Sequence, residues 1–247
     1  MTHGGSSSLW RHGKPLVPAI VVVVGALSAC HGSGGTSSQG EATSTTTAPA
    51  PAPAFSQATL DHTTGSLPDL GKLIGESNLK LISSTPVLND NSAIVDHKDC
   101  MAVAAIGEKI VYAGSGFTAA RTVVAESAED SDNWQHVEQS AVIFPSTDAA
   151  KQFFDKSAKN WADCVNVPVT LTYPNQEPVK SIGNEVVTMP NSVIYQSATI
   201  PDTDQGWSCP HAMAVQENLV VEASICRADA SDEPPRIIEQ MLKNATK

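Results

Sequence analysis

His211, Glu222 and Ser224 are the side chains of this sequence whose types suit hydrolysis. A serine activated by a histidine, itself oriented by an acid, performs acyl transfer when all three are within hydrogen-bond reach and backbone donors receive the oxyanion. No Gly-x-Ser-x-Gly elbow and no oxyanion loop accompany them, so they read as the polar face of a sheet and the chain reads as a non-enzyme. The other reactive groups are five cysteines, Cys30, Cys100, Cys164, Cys209 and Cys226. None stands in a Cys-x-x-Cys pair, which argues against a zinc ribbon or a dithiol redox centre. Gly114-Ser115-Gly116 is a turn without the Gly-Lys-Ser/Thr of a phosphate loop. Glu126, Glu129, Asp130 and Asp132 cluster, but lack the glycine and the final glutamate of an EF-hand loop. Neither a metal nor a cofactor is expected.

The three hydrolase-type residues are positioned by a hairpin. Residues 209–226 alternate and break once, at Glu217-Asn218, where asparagine tolerates a left-handed turn conformation. With that turn Gln216 opposes Leu219, and counting outward His211 opposes Ser224 and Cys209 opposes Cys226. The last pair falls at a non-hydrogen-bonded position, where the Cα atoms are closer, and the geometry suits a disulfide. Pro210 cannot donate to the ladder, so the pairing is expected to bulge there. Four spaced cysteines in an exported chain read as two disulfides, and sequence alone allows three pairings. The hairpin selects Cys209–Cys226, and Cys100–Cys164 follows by elimination. Ala212, Ala214, Val221, Ala223 and Ile225 then share one face, small enough for a helix to approach. His211, Met213, Glu222 and Ser224 share the other.

Cys164 is delivered by the stretch that organises the fold. Ala141 to Phe144 reads as a buried strand ended by Pro145. Ser146 is an N-cap and Asp148 places negative charge in the first turn. Ala150, Phe154, Ser157, Trp161 and Cys164 repeat on one stripe of a helix of roughly four to five turns, with an acid-first pair expected from Asp155 to Lys159. Elsewhere the sequence predicts a helix over 67–74 ended by Gly75, a strand near 79–82, and a helix from Cys100 to about Tyr112 capped by Asp99. A hairpin of 117–125 with 135–144 follows, then strands within 165–173, 185–188 and 193–200, and a closing helix over 232–243. Strands and helices without regular alternation give an α+β class: a mixed, mostly antiparallel sheet with packed helices.

The front of the chain has a different character. Arg11, His12 and Lys14 precede an apolar segment from Leu16 to Leu27, too short to span a membrane and suited to a signal peptide over 1–29. It ends in Leu27-Ser28-Ala29-Cys30, which resembles the lipobox of bacterial lipoproteins; in that family the cysteine is acylated. Residues 30–65, rich in Gly, Ser, Thr, Ala and Pro, read as a disordered tether ahead of one domain over 66–247. The chain carries 15 Lys plus Arg against 26 Asp plus Glu, a net charge of -11. That argues against nucleic acid, which needs a basic stripe, and against adhesion to anionic lipid.

From about Leu67 onward the chain resembles the PknH-like extracellular sensor domain family of mycobacteria, which also occurs alone in lipoproteins. The resemblance rests on Cys100, Tyr112-Ala113-Gly114-Ser115-Gly116-Phe117, Phe144 with the helix start at 146–150, Trp161-Ala162-Asp163-Cys164, Trp207-Ser208-Cys209, the Glu217-Asn218 turn and Cys226. It implies a mixed sheet with helices, two disulfides, and a central cleft that binds a ligand, without motifs that place binding residues. The sequence carries no kinase domain, and a lipobox stands in place of a membrane span, so signalling by kinase activation does not carry over. The expectation is a lipoprotein held to the extracytoplasmic face of the cell membrane through Cys30, binding a small envelope ligand. The alternatives are a scaffold that docks another envelope protein, and an esterase-type hydrolase, which a Ser224–His211 hydrogen bond would favour.

Overall fold

The computed structural model describes residues 54–128, 134–201 and 206–247. The signal peptide, Cys30 and the Ala-Pro run up to Pro53 lie outside the described residues, as do Glu129, Asp130 and Asp132. The chain enters through α1 (Leu60–Thr63) and α2 (Leu67–Ile74), followed by β1 (Lys80–Thr85), α3 (Met101–Ala104) and α4 (Lys109–Tyr112). Next come β2 (Ala119–Glu126), β3 (His136–Ile143) and α5 (Thr147–Asp163). Strands β4 (Pro168–Leu171), β5 (Val179–Met189), β6 (Val193–Thr199), β7 (Trp207–Ser208), β8 (His211–Gln216) and β9 (Leu219–Ala228) precede the closing α6 (Glu233–Ala245). One nine-stranded sheet results, in the order β1-β2-β3-β9-β7-β6-β5-β4, with β8 pairing both β6 and β9. Its ladders are antiparallel. No helix among the described residues is long and apolar enough to cross a membrane.

Helices cover both faces. On one, Ile237, Ile238 and Met241 of α6, with Leu70 and Ile74 of α2, pack on Ala212, Ala214, Val221, Ala223 and Ile225. The small strand residues let α6 come close, and each buried isoleucine contributes roughly 1.5–3 kcal/mol. On the other, Phe153, Phe154 and Trp161 of α5 pack with Phe144, Tyr112, Met213 and Val220. A third cluster surrounds the Cys100–Cys164 disulfide with Val169 and Leu171.

Local signals fix most element ends. Ser146 accepts a hydrogen bond from Ala149 N–H at the start of α5, and Ser66 accepts one from Asp69 N–H at the start of α2. Gly75 ends α2 with φ 75°, the left-handed cap a side chain would strain. The surface ion pairs of α5 differ from expectation: they are Lys151–Asp155 and Lys159–Asp163, in place of Asp155–Lys159.

Three expectations are corrected. The tether does not run to residue 65. Phe55 and Leu60 are buried in the core beside α2 and α6, because a single apolar residue at each point suffices to anchor a segment of otherwise polar composition. The helix expected over 100–112 is broken: Lys98–Cys100 is a 3-10 turn containing Asp99, and α3 and α4 are separated at Gly107, whose φ of 62° no continuous helix accepts. At the β8–β9 turn the left-handed residue is Glu217 (φ 49°) and not Asn218, whose side chain is used elsewhere.

Candidate functional site

The hairpin register is as the sequence predicts: His211 opposes Ser224, Met213 opposes Glu222 and Gln216 opposes Leu219. Cys209 lies outside the β8 ladder, its N–H donating to Ala198 C=O, while Ile225 N–H donates to Pro210 C=O. Cys209 and Cys226 are bonded across this irregular end with Cα atoms 4.1 Å apart, and Cys100 and Cys164 with Cα atoms 5.6 Å apart.

The polar face of the hairpin is not a solvent face. Glu222, His211 and Ser224 are all buried. Strand β3 extends the same face: Ser140 opposes Glu222, Glu138 opposes Ser224, and His136 opposes Cys226. A buried carboxyl requires partners, and Glu222 finds them from loops distant in sequence. Tyr112 O–H donates a short hydrogen bond to Glu222 Oε1, and Gly107 N–H donates to Oε2 at 3.4 Å. Tyr112 is held over the carboxyl by stacking on Phe153, ring centroids 4.2 Å apart. Glu108, at the start of α4, is likewise buried and accepts from Asn91 N–H at 2.9 Å and Asn91 Nδ2 at 2.6 Å.

Three carboxyls therefore converge electrostatically: Glu108, Glu138 and Glu222. Burial, then the charges of Glu108 and Glu138, push the Glu222 carboxyl up to about 7 against the Tyr112 and Gly107 bonds. Burial raises Glu108 as well, with Glu138 and Asp90 adding repulsion. Burial and Glu222 hold the Tyr112 phenol well above its ordinary value. Tyr173, beyond β4, is pushed to about 12 by burial and then by Glu138 and Glu108. His136 bridges Glu126 (Nδ1 to Oε1, 2.9 Å) and Glu138 (Nε2 to Oε1, 3.0 Å). Burial opposes its charge, but those two carboxylates outweigh burial and lift it to about 9.

The hydrolase arrangement does not form. Ser224 Oγ donates to Pro210 C=O at 3.3 Å, and His211 Nε2 has no hydrogen-bond partner. His211 meets Trp161 edge-on at 4.3 Å, and burial drops it to about 4, with a backbone bond to Cys209 only partly offsetting. Glu222 is taken by Tyr112. His211 is thus held toward its neutral form, Glu222 is engaged elsewhere, and no proton relay reaches Ser224. Of the acidic loop cluster, Glu126 lies on β2 against His136. No group of three or more His, Cys, Asp or Glu side chains among the described residues forms a metal site.

The sequence reading placed Glu222 on this face but missed Glu138, Ser140, Glu108 and Tyr173. The signal for the first two was present: His136, Glu138 and Ser140 stand at alternate positions of β3, which puts three polar side chains on one face of that strand.

Residues 55–244 match the family described as PknH-like extracellular domain. The chain belongs to that family. It is 27% identical over 183 residues to the Serine/threonine-protein kinase PknH of Mycobacterium bovis, and equally to that of Mycobacterium tuberculosis. These alignments take in 72% of this chain but 29% and 28% of the kinases, so the chain spans less than a third of their length. The crystal structure of the extracellular domain of PknH from Mycobacterium tuberculosis shares the fold, with TM-score 0.69, 23% identity, and coverage of 78% of this chain and 97% of that one. The PknH-like fold here is α+β, with two disulfides, as the resemblance implied.

Proposed function

We propose that this protein is a cell-envelope lipoprotein, acylated on Cys30, whose PknH-like domain acts as a sensor on the extracytoplasmic side by binding a small ligand and performs no catalysis. The observation that supports ligand binding is the acidic face. Glu108 and Glu222 are buried at a cost in desolvation, with Glu138 beside Glu222 on the same sheet face, and buried carboxyls raised in this way concentrate at functional sites. Extracellular relatives support the location, and the lipobox ending in Cys30 supports the anchor. Native mass spectrometry of the purified full chain tests the first part: a co-purified small molecule is expected. Mass spectrometry of the protein extracted from its membrane tests the second. A diacylated N-terminal Cys30 is expected, and a mature form starting elsewhere refutes the anchor.

A second reading, a partner that docks another envelope protein, is favoured by one feature. Strand β1 is a sheet edge, and Leu81 (52% exposed), Ile82 (55%) and nearby Val87 (53%) leave it apolar and open. Crosslinking through a photoreactive residue at Ile82 in envelope preparations should trap such a partner and leave the acidic face untouched.

A further inference from the structure

The polar groups of the acidic face do not balance, and the imbalance has a sign. The donors nearest the carboxyls are committed: Tyr112 O–H and Gly107 N–H to Glu222, and the Asn91 amides to Glu108. What remains is the Ser140 hydroxyl, able to accept as well as donate, and negative charge on the carboxyls that one histidine partly offsets. Ser140 is 1% exposed, and its Oγ has no hydrogen-bond partner although it lies directly across the ladder from Glu222. It is aimed at the backbone that serves Glu222, since a Cβ placed on Gly107 would stand 2.9 Å from that oxygen. Glu138, next along the same face, gives Oε1 to His136 and keeps its side chain 20% exposed. Among the described residues, no Lys or Arg pairs with Glu108, Glu138 or Glu222; the ion pair formed within this set is that of Glu138 with His136. Glu138, Tyr173 and Asn91 are the members of the set that reach solvent.

A buried hydroxyl without a partner is costly, and a group of acids with unused lone pairs calls for a ligand that supplies hydrogens and positive charge. A primary ammonium has three N–H donors and no acceptor. An alcohol brings one donor and no charge, and a carboxylate brings neither. Resting on the ligand-binding reading above, we infer that the ligand of this face carries a primary ammonium group, received by the carboxylates of Glu138 and Glu222 and by Ser140 Oγ. The groups facing Glu222 fix the pH response. Glu108, Glu138 and the Glu126–His136 pair keep the surroundings acidic, and Tyr112 and Tyr173 stay neutral. A proton on Glu222 therefore competes with the ammonium.

The test uses the full chain with n-hexylammonium, n-hexanol and hexanoate as probes, read by ligand-observed NMR. Saturable binding of the ammonium alone is expected, weakening as the pH is lowered from 8 to 6. Glu138→Gln and Ser140→Ala should each weaken it, the first by about tenfold or more, the loss of one charge-assisted hydrogen bond. Circular dichroism confirms that each variant is folded. Asp155→Asn, on the exposed side of α5, controls for nonspecific attraction to an acidic protein and should change nothing. Equal binding of hexanol or hexanoate, or unchanged ammonium binding in Glu138→Gln, overturns the proposal. So does a neutral or anionic co-purified molecule, which leaves the ligand-binding reading standing. No bound molecule and no probe binding overturns both.

Discussion

Asn218 holds Phe55 as a neighbouring strand would: Phe55 N–H donates to Asn218 Oδ1 and Asn218 Nδ2 donates to Phe55 C=O, both at 2.8 Å, across 163 residues of sequence. The same Nδ2 donates to Phe144 C=O at 3.0 Å. One buried amide thereby ties Phe55, the first core residue among those described, to the turn of the β8–β9 hairpin and to the strand end before α5. Asn218→Ala leaves three buried backbone groups unpaired and should cost about 2–4 kcal/mol in denaturant melts. Asn218→Asp keeps only the acceptor and should rescue less than half of that loss.

Gly107 carries a second structural prediction. Its φ is 62°, and an added Cβ would lie 2.9–3.0 Å from Ser140 Oγ and Cβ and from Thr122 Cγ2. Gly107→Ala should therefore destabilise by about 2 kcal/mol or more, through backbone strain plus overpacking. It should also displace the N–H that serves Glu222. A melt indistinguishable from the parent would show that the α3–α4 connection relaxes freely.

Two buried groups contribute stability that falls with rising pH, while His211, dropped from 6.5 to about 4, contributes the opposite slope between those values, so the two are separated by variants. Glu222 is raised from 4.5 to about 7, so the folded state binds the extra proton between those values and loses that advantage as pH climbs through about 7. His136 is raised from 6.5 to about 9, so its contribution is complete below 6.5 and disappears through about 9. Glu222→Gln should be near neutral at pH 4.5 and relatively stabilised at pH 8, measured by paired denaturant melts. His136→Gln should lose stability at pH 6 and little at pH 10.

The two disulfides should rank by the chain they constrain. Cys100–Cys164 closes a separation of 64 residues and Cys209–Cys226 one of 17. The chain-entropy model assigns these about 4 and about 3 kcal/mol. Removing Cys100 and Cys164 together by alanine should therefore cost more than removing Cys209 and Cys226. An equal or reversed ranking would locate the effect in residual structure of the unfolded chain.

What could be read from the sequence was local or strictly periodic. The hairpin register, the α5 stripe and the Ser146 cap depend on neighbours a few residues away, and they stand as the residues spell them. The acidic face depends on partners 110 and 115 residues from Glu222, namely Tyr112 and Gly107, and no spacing rule announces them. The same holds for Phe55, whose burial follows from an asparagine at the far end of the chain. The break at Gly107 was visible as a glycine in a helical run, but its necessity comes from Ser140 and Thr122 packed beneath it.

The β8–β9 hairpin is shut at both ends, by the Glu217-Asn218 turn and by the Cys209–Cys226 bond. Once oxidised it is a covalent ring, and its two strands cannot slide past each other by a residue without breaking that bond. Sliding would exchange Ala212 for Met213 beneath α6 and turn Glu222 into the apolar core. The bond therefore acts as a latch: it locks in whichever alignment existed when it closed. An exported chain that oxidises early gains a fixed template on which β3 and β6 then assemble, and one that oxidises in the wrong alignment is trapped until a thiol reopens it.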